Sequence, residues 1–202
     1  MSDWVMALAA LAMAAQPAPA RFKSGSLPAP SGATVGGGEV LLEVEVGEAG
    51  NVAAVRALRD TPPYTEALRR AVRGWTFEPA QGAQGSIPST VLVAGSFRPP
   101  TMAGPAIGQA PIDVAAPAAG TPFPTTIAPA LYPPHAQGDA QVLVEIAIGA
   151  EARPATRVVL GARGFDDAAL QAAGQWRFRP GAGVAYVVFG FRQPVTAPPA
   201  VR

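Results

Sequence analysis

The sequence predicts an α+β fold built from two small strand–strand–helix–strand units joined by a proline-rich linker. Three observations lead there. Trp75-Thr76-Phe77-Glu78-Pro79 recurs as Trp176-Arg177-Phe178-Arg179-Pro180, and the pattern around each copy recurs with it. Upstream of each copy, aliphatic residues alternate with more polar ones, the two-residue period of a half-buried strand. Just before each tryptophan the period lengthens to that of a helix. Between the copies, residues 99–129 are rich in Pro, Ala and Gly and nearly free of charge, a composition that favours extended spacers.

Taken in order, Val40-Leu41-Leu42-Glu43-Val44-Glu45-Val46-Gly47 matches Val142-Leu143-Val144-Glu145-Ile146-Ala147-Ile148-Gly149. A turn on Gly47 to Gly50, one residue shorter in the second copy, leads to another apolar run. That run covers Val52 to Leu58 in one copy and Thr156 to Leu160 in the other, so each pair reads as a hairpin. Tyr64, Leu68, Ala71 and Trp75 then fall on one stripe of a helix, as do Phe165, Ala169, Ala172 and Trp176. Asp60, Thr61 and Pro62-Pro63 are start signals for the first helix, and Asp166-Asp167 for the second, where carboxylates favour the N-terminus. The last strands run from Ser89 to Phe97 and from Val184 to Phe191. Each sheet is expected to bury one face beneath its helix, with the tryptophan anchoring the contact. The first unit then spans 39–98 and the second 130–195, with a flexible segment at 21–38, an extended, semi-rigid Pro/Ala/Gly-rich linker at 99–129 and a disordered tail at 196–202.

Composition narrows the function. A formal net charge of +1 offers no general field for nucleic acid. The chain has no Cys, which excludes disulfides, thiolate catalysis and Cys-ligated metal. The apolar run Trp4 to Ala15 falls short of the roughly 20 residues of a membrane-spanning helix. It suits the core of a secretory signal, with Ala18-Pro19-Ala20 supplying small residues for cleavage before Arg21. An uncleaved short anchor is the alternative, because the first residues carry Asp3 and no Lys or Arg.

This ordered set resembles the C-terminal domain of TonB-type energy transducers. The second copy carries the family's Tyr-Pro element as Tyr132-Pro133, then the strand with its Gly turn, then Asp167-Ala168-Ala169-Leu170 and Trp176 to Pro180. The first matches from Val40 through Glu66-Ala67-Leu68 to Pro79, with Leu27-Pro28 standing in for Tyr-Pro. The resemblance covers about two thirds of the chain. It implies two three-stranded antiparallel sheets, each packed by one helix, with no catalytic activity and no cofactor. It also implies a periplasmic binding role: capture of an extended segment of an outer-membrane transporter, or another envelope protein, beside the last strand. Such β-augmentation uses the unpaired N–H and C=O groups of an edge. The implied binding residues are Thr90, Val91, Leu92, Val93 and Ala94, then Val184, Ala185, Tyr186, Val187 and Val188, with Tyr132 and Pro133 alongside. The sequence departs from the transducers in its short apolar segment and in the doubling of the domain. A membrane-anchored transducer with a truncated helix therefore stands as one alternative. A structural protein that binds peptidoglycan, or pairs its own edge strands, stands as another.

Single residues have plainer readings. Trp75 and Trp176 end apolar stripes and are expected in the core. His135, the only histidine, has no partner at metal-ligand spacing and reads as a surface residue. Arg69, Arg70 and Arg73 form a solvated helix face, or a contact for an acidic partner. Asp166 and Asp167 are expected to cap a helix, and Gly36-Gly37-Gly38 precedes a strand, so it is no phosphate cradle.

Overall fold

The computed structural model describes residues 18–29, 37–99, 115–149 and 154–194. The apolar run from Trp4 to Ala15, Gly36, the linker from 100 to 114, the second hairpin turn at 150–153 and the tail at 196–202 lie outside the described residues. The elements, in chain order, are β1 (Arg21–Ser24), β2 (Gly38–Val46), β3 (Val52–Arg59), α1 (Tyr64–Arg73), β4 (Thr76–Glu78), β5 (Ala80–Gly82), β6 (Gly85–Ile87) and β7 (Ser89–Phe97). There follow β8 (Pro124–Thr126), β9 (Ala140–Ile148), β10 (Ala155–Leu160), α2 (Asp166–Ala173), β11 (Arg177–Phe178) and β12 (Gly183–Phe191). The chain is mixed α+β, and both hairpins, both helices and both last strands form where the periodicity places them.

Their assembly differs from the expectation. The two three-stranded sheets are one six-stranded sheet, in the order β10-β9-β12-β7-β2-β3. The join is a parallel pairing of the two last strands, from Ala185 beside Leu92 to Gly190 beside Phe97. The other pairs of this sheet are antiparallel. Exchanging two parallel neighbours requires a twofold rotation about an axis along the strands, and that rotation turns the sheet over. The helices accordingly lie on opposite faces. Leu68 and Val72 of α1 pack with Leu42, Val44, Val91 and Val93. Ala169 and Ala172 of α2 pack with Val142, Val144, Val187 and Phe189. Strand alternation makes this possible, because successive residues of every central strand feed opposite cores.

Each helix covers only its own half of a face. The other half, formed by the other repeat's strands, is covered by the extended strap that precedes the helix's own repeat. β1 pairs with β4, and Phe22, Phe77 and Trp75 close over Leu143, Val184, Tyr186 and Val188 of the second repeat. β8 pairs with β11, and Phe123, Ile127 and Trp176 close over Leu41, Leu58, Leu92 and Ala94 of the first. The segments read as a flexible stretch, 21–38, and a spacer, 99–129, are therefore structural over their described parts. They carry few charges but include Phe22, Leu27, Phe123 and Ile127, and a strap pairs on one side only, where Pro124 is tolerated.

The tryptophans fasten these straps. Trp75, 1% exposed, donates its indole N–H to the Ser26 carbonyl at 2.9 Å; Trp176, 0% exposed, donates to the Ala128 carbonyl at 3.0 Å. The matched bonds place Ser26 opposite Ala128, so Leu27-Pro28 corresponds to Pro129-Ala130 and not to Tyr132-Pro133. Along α1, Tyr64, Leu68 and Val72 are buried and Ala71 is half-buried, so the stripe runs one residue further round than expected. Neither helix has a side-chain N-cap. Asp166 instead accepts the Ala162 amide at 2.8 Å, bracing the preceding turn.

Two glycines let aromatic rings lie flat on the sheet. A Cβ at Gly190 would meet Phe97 at 2.5 Å, and one at Gly95 would meet the same ring at 2.4 Å. Phe97 rests over both backbones, and Tyr64 of α1 stacks on it with centroids 4.5 Å apart. We expect Gly190→Ala to destabilise the fold by about 1–3 kcal/mol through overpacking. Pairing it with Phe97→Leu should recover part of that loss in a double-mutant cycle followed by denaturant unfolding. Strict additivity would show that the ring does not hold this position.

Candidate binding surface

The residues read as edge binders sit in the centre of the sheet. β7 is hydrogen-bonded to β2 on one side and β12 on the other, and β12 to β7 and β9. Thr90 and Val91 pair with Glu45 and Val44. Leu92, Val93 and Ala94 lie between Glu43, Leu42 and Leu41 of β2 and Ala185, Tyr186 and Val187 of β12. Val184 and Val188 complete the antiparallel ladder with Ala147 and Leu143. The expectation that these strands are open edges is therefore corrected: each repeat occupies the edge of the other. Val184, Val187, Val188 and Phe189 are all at most 1% exposed. At roughly 1.5–3 kcal/mol per buried side chain, re-exposing four of them approaches the whole net stability of a typical domain, about 5–15 kcal/mol. An incoming peptide would restore backbone bonds but not the packing against two cores.

Tyr132 and Pro133 also serve the fold. The Tyr132 hydroxyl donates to the Gly138 carbonyl at 2.8 Å, and its ring packs edge-on against Phe165 with centroids 5.6 Å apart. His135 is exposed. Arg70 and Arg73 are exposed, while Arg69 is half-buried and paired with Glu66.

Among the described residues, the open sides belong to β3 and β10, the outermost strands. Each is a regular run with a bulge in its pairing: β3 at both ends of Leu42–Glu45, and β10 between Val158 and Leu160. Bulges of this kind limit indiscriminate edge-to-edge association. Ala53, Ala54 and Arg56 are exposed on β3, and Ala155 and Arg157 on β10.

Behind each open edge lies a buried carboxylate that sequence reasoning missed. Glu43, in β2, accepts from Arg56 Nε at 3.0 Å and Nη2 at 2.6 Å on the neighbouring edge strand. Its other oxygen accepts from the Ala118 amide at 2.6 Å and the Thr121 hydroxyl at 2.8 Å, both on the strap of the second repeat. Glu145 occupies the equivalent place in β9. It binds Arg157 of β10 at 2.7 Å and Arg21 on the strap of the first repeat. Tyr186 completes this cluster, accepting the Phe22 amide at 2.8 Å and donating to the Ala20 carbonyl at 3.2 Å. Burial first, then the Glu145 carboxylate, pushes the Tyr186 phenol far above its ordinary range, so it acts as a neutral hydrogen-bonding group. Each glutamate thus ties an edge strand to the strap of the other repeat. The sequence carried a signal for this: a Glu flanked by aliphatics at the same strand position twice, followed by Arg56 and Arg157 at matching places in the next strand.

Burial alone would raise the Glu43 carboxyl. The Ala118 amide, Arg56 and Thr121 together more than offset it and hold its pKa below the usual 4.5. A folded-state pKa below the unfolded one contributes stability above the unfolded value, and that stability is lost as pH falls through the folded value. We expect Glu43→Gln to lower stability by about 1–3 kcal/mol near neutral pH. The gap to wild type should narrow as pH is taken from about 7 to about 3, read from Tm. A gap of constant size would show that the Glu43 charge does not hold the strap.

No family model matches the chain, and no curated protein or solved structure matches it either.

Proposed function

We propose that this chain is a non-enzymatic, TonB-like binding protein of the Gram-negative periplasm that captures extended segments of outer-membrane transporters or other envelope proteins. The capturing edges are β3 and β10. One observation carries the reading: in the strand order β10-β9-β12-β7-β2-β3, these two strands keep one side of their backbone open among the described residues, while the last strands of both repeats are consumed by each other. The resemblance of both copies to the TonB C-terminal domain supports the class of partner. The buried Glu–Arg pairs support rigidity at the edges, since an ordered edge loses less entropy on capturing a peptide. The pseudo-twofold arrangement makes the platform bivalent, with equivalent edges at opposite ends of one sheet. A capture site at each end suits a partner with two extended segments, or two partners brought together. Among the described residues no helix is long and apolar enough to cross a membrane.

Adjacent proline substitutions test this. In an antiparallel strand successive amides alternate between the neighbour and the open side. Of Ala155→Pro and Thr156→Pro in β10, and of Ala54→Pro and Val55→Pro in β3, one of each pair should keep the wild-type Tm. That variant should bind solubilised outer-membrane transporter about tenfold more weakly, the loss of one backbone hydrogen bond. Val91→Pro and Val187→Pro, in contrast, are expected to unfold the protein. Undiminished binding by every folded β3 and β10 variant would rule out capture at these edges.

A further inference from the structure

We propose that the second repeat carries a peptide-binding cleft at the place that the first repeat fills with its own β5–β6 hairpin. Its ligand is an extended, otherwise uncharged peptide that ends in a free carboxylate. The cleft is separate from the β3 and β10 edges and stands whether or not those edges capture a partner. The two repeats serve as templates for each other here. Phe22 pairs with Phe77 as Pro124 pairs with Phe178, which places Ala18 opposite Gly120 and Ala80 opposite Gly181.

In the first repeat, residues 80–88 separate Pro79 from Ser89, which pairs with Val46. In the second, only Gly181 and Ala182 separate Pro180 from Gly183, which pairs with Ile148 at the matched strand position. The longer loop folds into β5 and β6, and Gln81 exchanges both backbone hydrogen bonds with Ala18, each at 3.0 Å. Ala80, at its base, is 2% exposed. The shorter loop leaves Gly181 and Ala182 exposed. Among the described residues no such bridge joins them to Gly120. A Cβ built on Gly120 or Gly181 would meet nothing within 4 Å.

The result is an open cavity of about 330 Å³ between strap and loop, within the range of ligand pockets, roughly 300–1,000 Å³. Pro117, Pro122, Phe123 and Ile148 give it apolar walls, and Arg179 is the one charged side chain among the described residues that line it. The Arg179 guanidinium lies over the Phe123 ring, 4.5 Å from its centroid, a contact that holds the cation in place. The nearby Glu43 carboxylate is already matched by Arg56, Ala118 and Thr121. The first repeat has Glu78 where the second has Arg179, so attraction for an anion belongs to this cleft alone. In the hairpin Ala80 faces Ile87, so both of its ends return to the base. A peptide laid in the same place ends beside Pro180 and Arg179, where a terminal carboxylate meets the guanidinium.

The probe is an N-acetylated synthetic peptide of residues 80–87, whose only charge is its C-terminal carboxylate. Titrated into the isotope-labelled full-length chain and followed by NMR, it should shift the amides of Gly120, Gly181 and Ala182. It should bind about tenfold more tightly than the same peptide with an amidated C-terminus, the contribution of one charge-assisted hydrogen bond. Arg179→Gln, at an exposed position, should keep the wild-type Tm and remove that difference. A chain in which residues 80–88 replace Gly181 and Ala182 should fold with the cleft filled and leave the probe unbound. No shift at the three amides, or equal affinity for the acid and the amide, overturns the proposal. Shifts confined to β3 and β10 overturn it too, but leave capture at those edges standing.

Discussion

Parallel pairing of β7 with β12 is the constraint on which the rest of the molecule depends. Two strands that run side by side in the same direction can be exchanged only by rotation about their common axis, and that rotation inverts the sheet. From this single contact it follows that α1 and α2 lie on opposite faces and that residues of one strand feed both cores. It also follows that neither repeat covers its own sheet on both sides. The uncovered half of each face is filled by the strap that precedes the other repeat, held by an indole N–H bond and by a β-pairing to the Trp-x-Phe-x-Pro strand. The repeats embrace one another, and the hydrophobic cores are shared between them.

That embrace decides which strand edges the described residues leave open. A strand with both sides hydrogen-bonded has no backbone groups to offer, and its side chains are already packed against two cores. The residues that resemble a partner-binding edge have instead become the seam of the protein. The open edges are displaced to β3 and β10, at opposite ends of the sheet. Glu43 and Glu145 make these ends more than frayed hairpins. Each buried carboxylate joins an edge arginine to a strap donor from the other repeat, so edge, sheet and strap behave as one unit. A buried charge with its hydrogen bonds satisfied is tolerable, but losing any one partner exposes the cost of burying it, which favours a single arrangement of the straps.

Much of the secondary structure was legible from local pattern alone. The alternation of Val142 to Ile148 and the stripe from Phe165 to Trp176 are periodicities, and a period needs only neighbouring residues to declare itself. Where a side chain ended an apolar stripe, as Trp75 and Trp176 do, burial was legible too. The straps were not, because an Ala- and Pro-rich segment with a few aromatics has no period. Phe22 and Phe123 are ordered by a surface contributed by the other repeat. The glutamate clusters fall between these cases. Their positions repeat visibly, but a Glu in a half-buried strand reads as the solvent side until both faces are known to be covered.

The sequence by itself determined the repeat, the order strand–strand–helix–strand within it, and the burial of the tryptophans, because these depend on short-range periodicity and on side-chain chemistry. Only the tertiary structure decided that the repeats form one sheet, which strands are its edges, and that the proline-rich segments cover its faces. Those outcomes turn on which of several compatible strand edges meet. Every strand of the right pattern offers the same backbone groups, so the choice is settled by the packing of whole faces against one another.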